Sequence, residues 1–299
     1  MKQLFLSILW LLPNILIAQN LNYDIYLIDI KKQEVGGLTF EKAVNISNHP
    51  GYDNQPSFTL DGKKVLYTAM TKDSTTDIYH YSFKKKKSSN FKSLPKTSEY
   101  SPTENEHSKI LTVRVEEDGK TQRIWQSDNN GLNDKLYLDK VDSVGYFCLI
   151  PDTNILFAFI LSNDGNEGHQ LRMINTSTQE EILIDDQIGR CIRMTLDSSS
   201  VFYVRKMNDT TNLLRRYNFY QNRIYDVLET VDGAEDFLFY DNTRIWMAKD
   251  NKLYEYWIAA KFRHWSEIKA FNDTNSHLKN ITRMNLSPDK SRLVLVAED

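Results

Sequence analysis

Long apolar stretches are missing from this sequence beyond its opening residues, which removes any reading as a multi-span helical membrane protein. The longest remaining candidate, Phe147 to Leu161, is broken by Pro151-Asp152 and reads as two strands. Cysteine is scarce, with only Cys148 and Cys191 in 299 residues, so a disulfide scaffold is excluded. The two thiols can either pair in an oxidising compartment or lie buried and inert. An excess of positive charge is absent too. Lys and Arg number 37 against 40 Asp and Glu, a formal charge of -3, which argues against a general nucleic-acid binder. No segment of ten or more residues carries a helical apolar stripe. There is no Gly-x-Ser-x-Gly elbow, no phosphate-cradling loop (Gly36-Gly37 is a plain turn), and no pair of histidines at zinc-helix spacing.

What the chain does contain is a unit repeated six times. The first copy runs from Gln55 through Phe58-Thr59-Leu60-Asp61-Gly62 into Val65-Leu66-Tyr67. Its turn position, Asp61, recurs at His107, Asp152, Asp197, Asp241 and Asp289, in steps of 46, 45, 45, 44 and 48 residues. A period in the mid-forties suits one four-stranded propeller blade. An apolar or alternating run follows each turn: Val65–Ala69, Ile110–Val113, Ile155–Phe159, Val201–Val204, Ile245–Ala248 and Leu293–Val296. These runs are short, β-branched and aromatic, which marks strands. Third strands follow around Ile78, Ile124, Leu171, Leu213 and Tyr254, whereas fourth strands leave a weak signal.

The two ends of the chain complement each other. The sixth repeat stops after its second strand, and Asp24–Ile28 near the start matches the third-strand segment Asp77–Tyr81 in type. Leu38 to Ile46 supplies a fourth strand. Pairing these orphan halves completes one blade and removes two open sheet edges. The expected fold is therefore all-β: a six-bladed β-propeller of four-stranded blades, closed by N- and C-terminal strands that share one blade. Residues 1–18 read as a secretory signal peptide, with Lys2, an apolar core from Leu4 to Leu12, and Ala18 before the cut. Residues 19–299 then form a single propeller domain without a transmembrane segment.

Gln55-Pro56-Ser57-Phe58-Thr59-Leu60-Asp61-Gly62-Lys63 and Asn285-Leu286-Ser287-Pro288-Asp289-Lys290-Ser291-Arg292-Leu293 resemble the Pro-x-Trp-Ser-Pro-Asp-Gly-Lys repeat of TolB-like propellers. The sequence departs from that pattern at Phe58, where the family has tryptophan, and at His107-Ser108, where it has Asp-Gly. The chain leaves no room for the α/β domain that precedes the propeller in TolB. The resemblance implies an exported bacterial propeller, periplasmic or secreted in a Gram-negative-type cell, that binds an envelope or secreted protein or peptide.

Functional residues are sought where the first strands open onto the channel, six to eight positions before each turn. Those positions hold Asp53, Asn54, Gln55, Glu99, Tyr100, Ser101, Arg190, Glu235 and Arg283, with Asp236 adjoining. Asp53, Asn54, Gln55, Glu99, Arg190, Glu235, Asp236 and Arg283 are the expected partner contacts, and Glu99 and Glu235 are expected to tolerate alanine without loss of fold. Bland roles compete: such groups also solvate a wet channel, and the arginines are expected to neutralise Glu99 and Glu235. Asp53 and Asn54 are the candidate oxygen ligands of a calcium ion on the axis, a minor alternative to a cofactor-free protein. Glu116-Glu117, Glu180-Glu181 and Asp185-Asp186 read as exposed hairpin tips, and Lys84–Lys87 as a solvated basic tip. The leading functional expectation is a non-enzymatic binding propeller. Its rivals are a cation-dependent hydrolase or lyase acting on a small polar substrate in the channel, and a scaffold subunit with no pocket.

Overall fold

Every expected turn becomes a tight hairpin because its aspartate, or its substitute, caps the loop. Asp61 accepts from the Lys63 amide at 3.0 Å and the Thr59 hydroxyl at 2.8 Å. Asp197 and Asp289 repeat this pattern with Thr195, Ser199, Ser287 and Ser291. At the second turn Asn105 takes over, accepting from the amides of His107 and Lys109, so the missing aspartate at His107 costs nothing. In the computed structural model, which describes residues 22–34, 36–162, 168–208, 211–261, 263–273 and 276–298, these hairpins build six antiparallel sheets of four or five strands. The expected signal peptide lies outside the described residues. Neighbouring sheets touch all the way round, so the architecture is a closed six-bladed propeller.

Blade 1 comprises Asp53–Phe58, Lys64–Met70, Thr76–Ser82 and Lys87–Lys92. Blade 2 is Ser98–Glu104, Lys109–Val115, Gln122–Asp128 and the two-residue Lys135–Leu136. Blade 3 is Val144–Ile150, Ile155–Ile160, Gln170–Asn175 and Glu181–Asp185, and blade 4 is Ile188–Met194, Ser200–Lys206, Asn212–Asn218 and Arg223–Glu229. Blade 5 is Phe237–Phe239, Arg244–Lys249, Lys252–Trp257 and Ser266–Ala270. Blade 6 takes its inner strands, Lys279–Leu286 and Arg292–Glu298, from the C-terminus and its outer strands from the N-terminus. Tyr23–Lys32 pairs antiparallel with Arg292–Glu298 from Tyr23 opposite Glu298 to Asp29 opposite Arg292. The single fourth strand expected over Leu38–Ile46 is in fact two, Leu38–Phe40 and Val44–Asn45, both paired with Tyr23–Lys32.

Second strands are buried on both faces because blades pack face to face. Val65, Leu66, Tyr67, Thr68 and Ala69 are each essentially inaccessible, as are Val201, Tyr203 and Val204. Each fully buried aliphatic side chain there contributes roughly 1.5–3 kcal/mol. Five of the six seams hold an apolar cluster. Ile25, Val65, Tyr67 and Val294 join blades 6 and 1, and Val113, Val144 and Leu156 join blades 2 and 3. Tyr203 and Phe157 join blades 3 and 4, Val204 and Met247 join blades 4 and 5, and Trp246 and Leu295 join blades 5 and 6.

The seam between blades 1 and 2 is different. Alternation along the strands turns Leu66 and Thr68 of blade 1 toward Ile110, Thr112 and Arg114 of blade 2. At its centre lies Glu99, with no exposed surface, which accepts hydrogen bonds from the Arg114 guanidinium and the Thr112 hydroxyl. Arg114 also pairs with Asp134 and lies 4.0 Å over the Trp125 ring. Lys92, from the last strand of blade 1, reaches Asp134 at 2.7 Å and Glu99 at 3.8 Å. Gly131 (φ +82°) allows the close approach: a Cβ there would meet the Phe91 carbonyl oxygen at 2.7 Å. A buried ionic cluster adds little net stability, but losing one member strands the others. Replacing Glu99 by alanine should therefore cost about 3–5 kcal/mol. Chemical denaturation should show this loss for Glu99→Ala and a change within about 0.5 kcal/mol for an exposed control such as Glu117→Ala.

Candidate functional site

The first strands do not run straight past the axis. In blades 1, 2, 3, 4 and 6 the pairing between first and second strand slips, between Asn54 and Ser57, Tyr100 and Thr103, Val144 and Tyr146, Ile188 and Ile192, and Lys279 and Arg283. Extra residues on the inner strand bend it and re-aim its side chains. Besides Asn280 in the blade 6 bulge (φ 44°), the bulges of blades 1 and 2 force non-glycine residues into the left-handed region, Gln55 at φ 55° and Ser101 at φ 53°. They lock each other: the Gln55 side-chain oxygen accepts from the Ser101 amide at 2.8 Å and the Thr68 hydroxyl at 3.1 Å. Such strain persists only where neighbours over-determine it.

The bulges surround an axial cavity of about 390 Å³, walled by residues from the first-strand segments of all six blades. Away from the turns it holds Arg190 from blade 4, Arg283 from blade 6, Asp236 before blade 5, and Tyr146 from blade 3, with Arg193 of blade 4 nearer the turns. It reaches the face that carries the first-to-second-strand turns, where Leu60, Glu104, Glu106 and Pro151 form its rim. Leu60 is 56% exposed there, and Leu196, on the corresponding turn of blade 4, is 54% exposed.

The three arginines are held by neutral acceptors. Arg190 donates to the Thr282 carbonyl at 2.8 Å, and Arg193 to the Phe237 and Met284 carbonyls at 3.2 and 2.7 Å. Arg283 donates to the Tyr146 hydroxyl at 2.7 Å, and its guanidinium carbon lies 4.7 Å from that ring's centre. The Arg190 Nε and the Ser101 hydroxyl are buried without a hydrogen-bond partner. Among the described residues none of these arginines forms an ion pair. The expected neutralisation by Glu99 is not seen, because Glu99 is taken by Arg114 and Lys92, and Glu235 pairs with Lys206 at 2.7 Å while interacting with Arg190 through that residue's backbone amide and its charge at longer range. Burial works against the Glu235 carboxylate, but Lys206 and Arg190 outweigh it and hold its pKa below the ordinary value. Asp236 stays near the arginines and accepts from the Met284 amide.

Of the eight residues expected to make contacts, Gln55, Arg190, Asp236 and Arg283 meet at this cavity. Glu235 flanks a smaller cleft of about 200 Å³ on the other side of Arg190 and Asp236. Asp53 and Asn54 are buried, at 0% and 6% exposure, and Glu99 belongs to the seam. Arg193 and Tyr146 complete the cavity; Arg193, four residues before its turn, lies outside the sequence window, whereas Tyr146, six before Asp152, lies inside it but is not among the expected contacts. Cys148 and Cys191 are not bridged, although both line the cavity. Burial pushes the thiol pKa of Cys148 up to about 11 and that of Cys191 to about 12, so neither is a ready nucleophile at neutral pH. Asp185 is also no exposed tip: it pairs with Arg205 and Arg215 and accepts from the Tyr203 hydroxyl at 2.6 Å.

Asp53 sits where blade 6 meets blade 1. Both its carboxylate oxygens are buried without a hydrogen-bond partner, and the nearest base, His49 Nδ1, is 3.7 Å away. Asp24 nearby accepts from Asn45 at 2.7 Å and Ser47 at 2.9 Å. Burial, and to a lesser degree Asp24, raises the Asp53 pKa to about 7 despite the opposing pull of Ser47. In the unfolded chain this group titrates near 3.8, so between about pH 4 and 7 the folded chain holds a proton that the unfolded chain lacks. Stability should fall as pH rises through that window, by up to about 4 kcal/mol, and level off above it. Melting temperatures from pH 4 to 8 should show this decline in the native chain and a flatter profile with higher stability at pH 8 in Asp53→Asn.

No family model matches the sequence, and no curated protein is significantly similar to it. Solved structures do match in fold. A putative TolB from Agrobacterium tumefaciens superposes with a TM-score of 0.66 at 11% identity, covering 93% of this chain and 99% of that one. An oligogalacturonate lyase from Vibrio parahaemolyticus gives 0.59 at 10% identity, covering 93% and 97%. The calcium-binding protein regucalcin from Agrobacterium tumefaciens gives 0.59 at 12%, covering 81% of each chain. With a closed ring, an axial cavity and these likenesses in hand, the chain is a six-bladed β-propeller structurally similar to TolB propellers and to oligogalacturonate lyase, at low sequence identity.

Proposed function

We propose that this protein is a non-enzymatic, exported β-propeller that binds a protein or peptide partner through the turn-side mouth of its axial cavity. The observation that carries this reading is the cavity of about 390 Å³ reaching the face where Leu60 and Leu196 are exposed. A concave pocket with a few convergent polar groups and an exposed leucine at its rim supports a binding role for this face. A closed ring of blades presents that mouth on a rigid frame, so little ordering entropy is lost on binding. Binding of this kind needs no cofactor. The leader-like first eighteen residues and the resemblance to TolB-like repeats support export to the periplasm or beyond. The rival reading, a cation-dependent hydrolase or lyase, needs a ligand set on the axis. Among the described residues no three His, Cys, Asp or Glu side chains are placed to hold a metal.

Partner capture from extracts of the native host, followed by mass spectrometry, tests the mouth. Leu60→Asp combined with Leu196→Asp should lose at least ten-fold of a protein retained by the native chain. Glu235→Ala combined with Lys206→Ala, which alters the opposite side, should retain it. Equal retention by both variants would move the site off the turn face, and a calcium-dependent rise in melting temperature would favour the enzyme reading.

A further inference from the structure

The axial cavity is electrically polarised along its length. Away from the turn face it carries the guanidinium groups of Arg190 and Arg283 with one carboxylate, Asp236, and Arg193, four residues before its turn, adds a third guanidinium partway toward the rim. Its rim carries Glu104 and Glu106. Glu104 receives the Leu60 amide at 2.7 Å, and Glu106 lies 3.7 Å from the exposed His107. Along the first strand of blade 2, Ser101 at the deep end and Glu104 at the rim are three residues apart, about 10 Å of extended chain. A ligand suited to this field carries negative charge at its leading end and positive charge about three residues behind it.

Resting on the reading of the cavity as a peptide-binding mouth, we propose that it takes the free C-terminus of a polypeptide, with the terminal carboxylate among Arg190, Arg193 and Arg283 and a lysine or arginine at the Glu104–Glu106 rim. Arginine suits this role because its planar fork meets a carboxylate through two parallel N–H donors. The donors now engaged by carbonyls and by the Tyr146 hydroxyl are held in place without a direct ion pair, and three guanidinium groups outnumber the one nearby carboxylate of Asp236, so the cavity keeps a net positive field. Burial in a low-dielectric wall strengthens that field relative to water. The unpartnered Arg190 Nε and Ser101 hydroxyl are further donors in the same wall. Side-chain carboxylates offer the same charge, but a chain end enters a narrow axial cavity without a loop having to fold back.

Calorimetric titration of the whole protein with three synthetic peptides tests this directly: acetyl-Lys-Ala-Ala-Ala with a free carboxylate, its C-terminal amide, and acetyl-Glu-Ala-Ala-Ala with a free carboxylate. The first should bind, the amide should be weakened at least ten-fold, and the glutamate peptide should be weakened several-fold, with the loss growing as salt is lowered. Arg190→Gln and Arg283→Gln should each weaken the first peptide about ten-fold while leaving the far-ultraviolet circular dichroism unchanged. Arg193→Gln removes two bonds to backbone carbonyls, so if it unfolds, the peptide comparison and Arg190→Gln still decide the matter. Comparable binding of acid and amide, or no binding of any peptide at millimolar concentration, overturns the proposal. So does inorganic phosphate binding more tightly than the free-carboxylate peptide, which would assign the cavity to phosphoryl anions. Peptide failure alongside a partner still lost in the Leu60/Leu196 variant would reject the chain-end chemistry and leave the binding mouth standing.

Discussion

One ladder of hydrogen bonds, between Tyr23–Asp29 and Arg292–Glu298, holds the two ends of this chain in a single sheet. Without it the last repeat has two inner strands and no outer ones, and the first segment has outer strands and nothing to lean on. Both would present open edges, and the blades on either side would face water with apolar surfaces. The same ladder places Ile25, Val294 and Val296 against Val65 and Tyr67 of blade 1, and Ile28 and Leu295 against Trp246 of blade 5. Closure therefore seals two seams as well as one blade. It is also where Asp53 is buried with no hydrogen-bond donor to its carboxylate, so proton uptake and ring closure are physically coupled.

The seams show how a repeat protein avoids ambiguity. Five apolar seams of similar shape are interchangeable in principle, because hydrophobic contact has no direction. The ion-paired seam between blades 1 and 2 is not, since Glu99, Arg114, Lys92 and Asp134 satisfy one another only in one register. A buried network of this kind adds less stability than an apolar replacement would, and its advantage is specificity. Along the axis, the arginines of blades 4 and 6 form no direct ion pair among the described residues. The difference between these two sets of buried charges separates the scaffold from the site.

Much of this architecture was written plainly in the residues. Second strands were legible because burial on both faces demands continuous apolar runs such as Val65–Ala69 and Leu293–Val296. Turns were legible because their capping side chains are local. Fourth strands were faint because they form the solvent-facing outer edge of each blade, where residues such as Lys87 and Arg223 satisfy the pairing without an apolar signal. The site was half legible. Gln55, Arg190, Asp236 and Arg283 reach the cavity, but Glu99 precedes the bulge after Tyr100, and the extra residue there reverses which face each side chain meets. A bulge depends on the partner strand, so no single strand announces it. Arg193 carries a different lesson: it sits four residues before its turn, closer to the turn than the six to eight positions at which the first strands open. An arginine inside the otherwise apolar Cys191-Ile192-Arg193-Met194 was the available signal.

The central claim is that the termini close the ring and thereby create the axial cavity, and native-state hydrogen exchange tests it most directly. The account predicts that the amides of the Tyr23–Asp29 and Arg292–Glu298 ladder exchange together, only through global unfolding, as slowly as those of Val201–Val204 in blade 4. Exchange of the Tyr23–Asp29 amides through a separate, lower-energy opening, while Arg292–Glu298 stays protected, would contradict it.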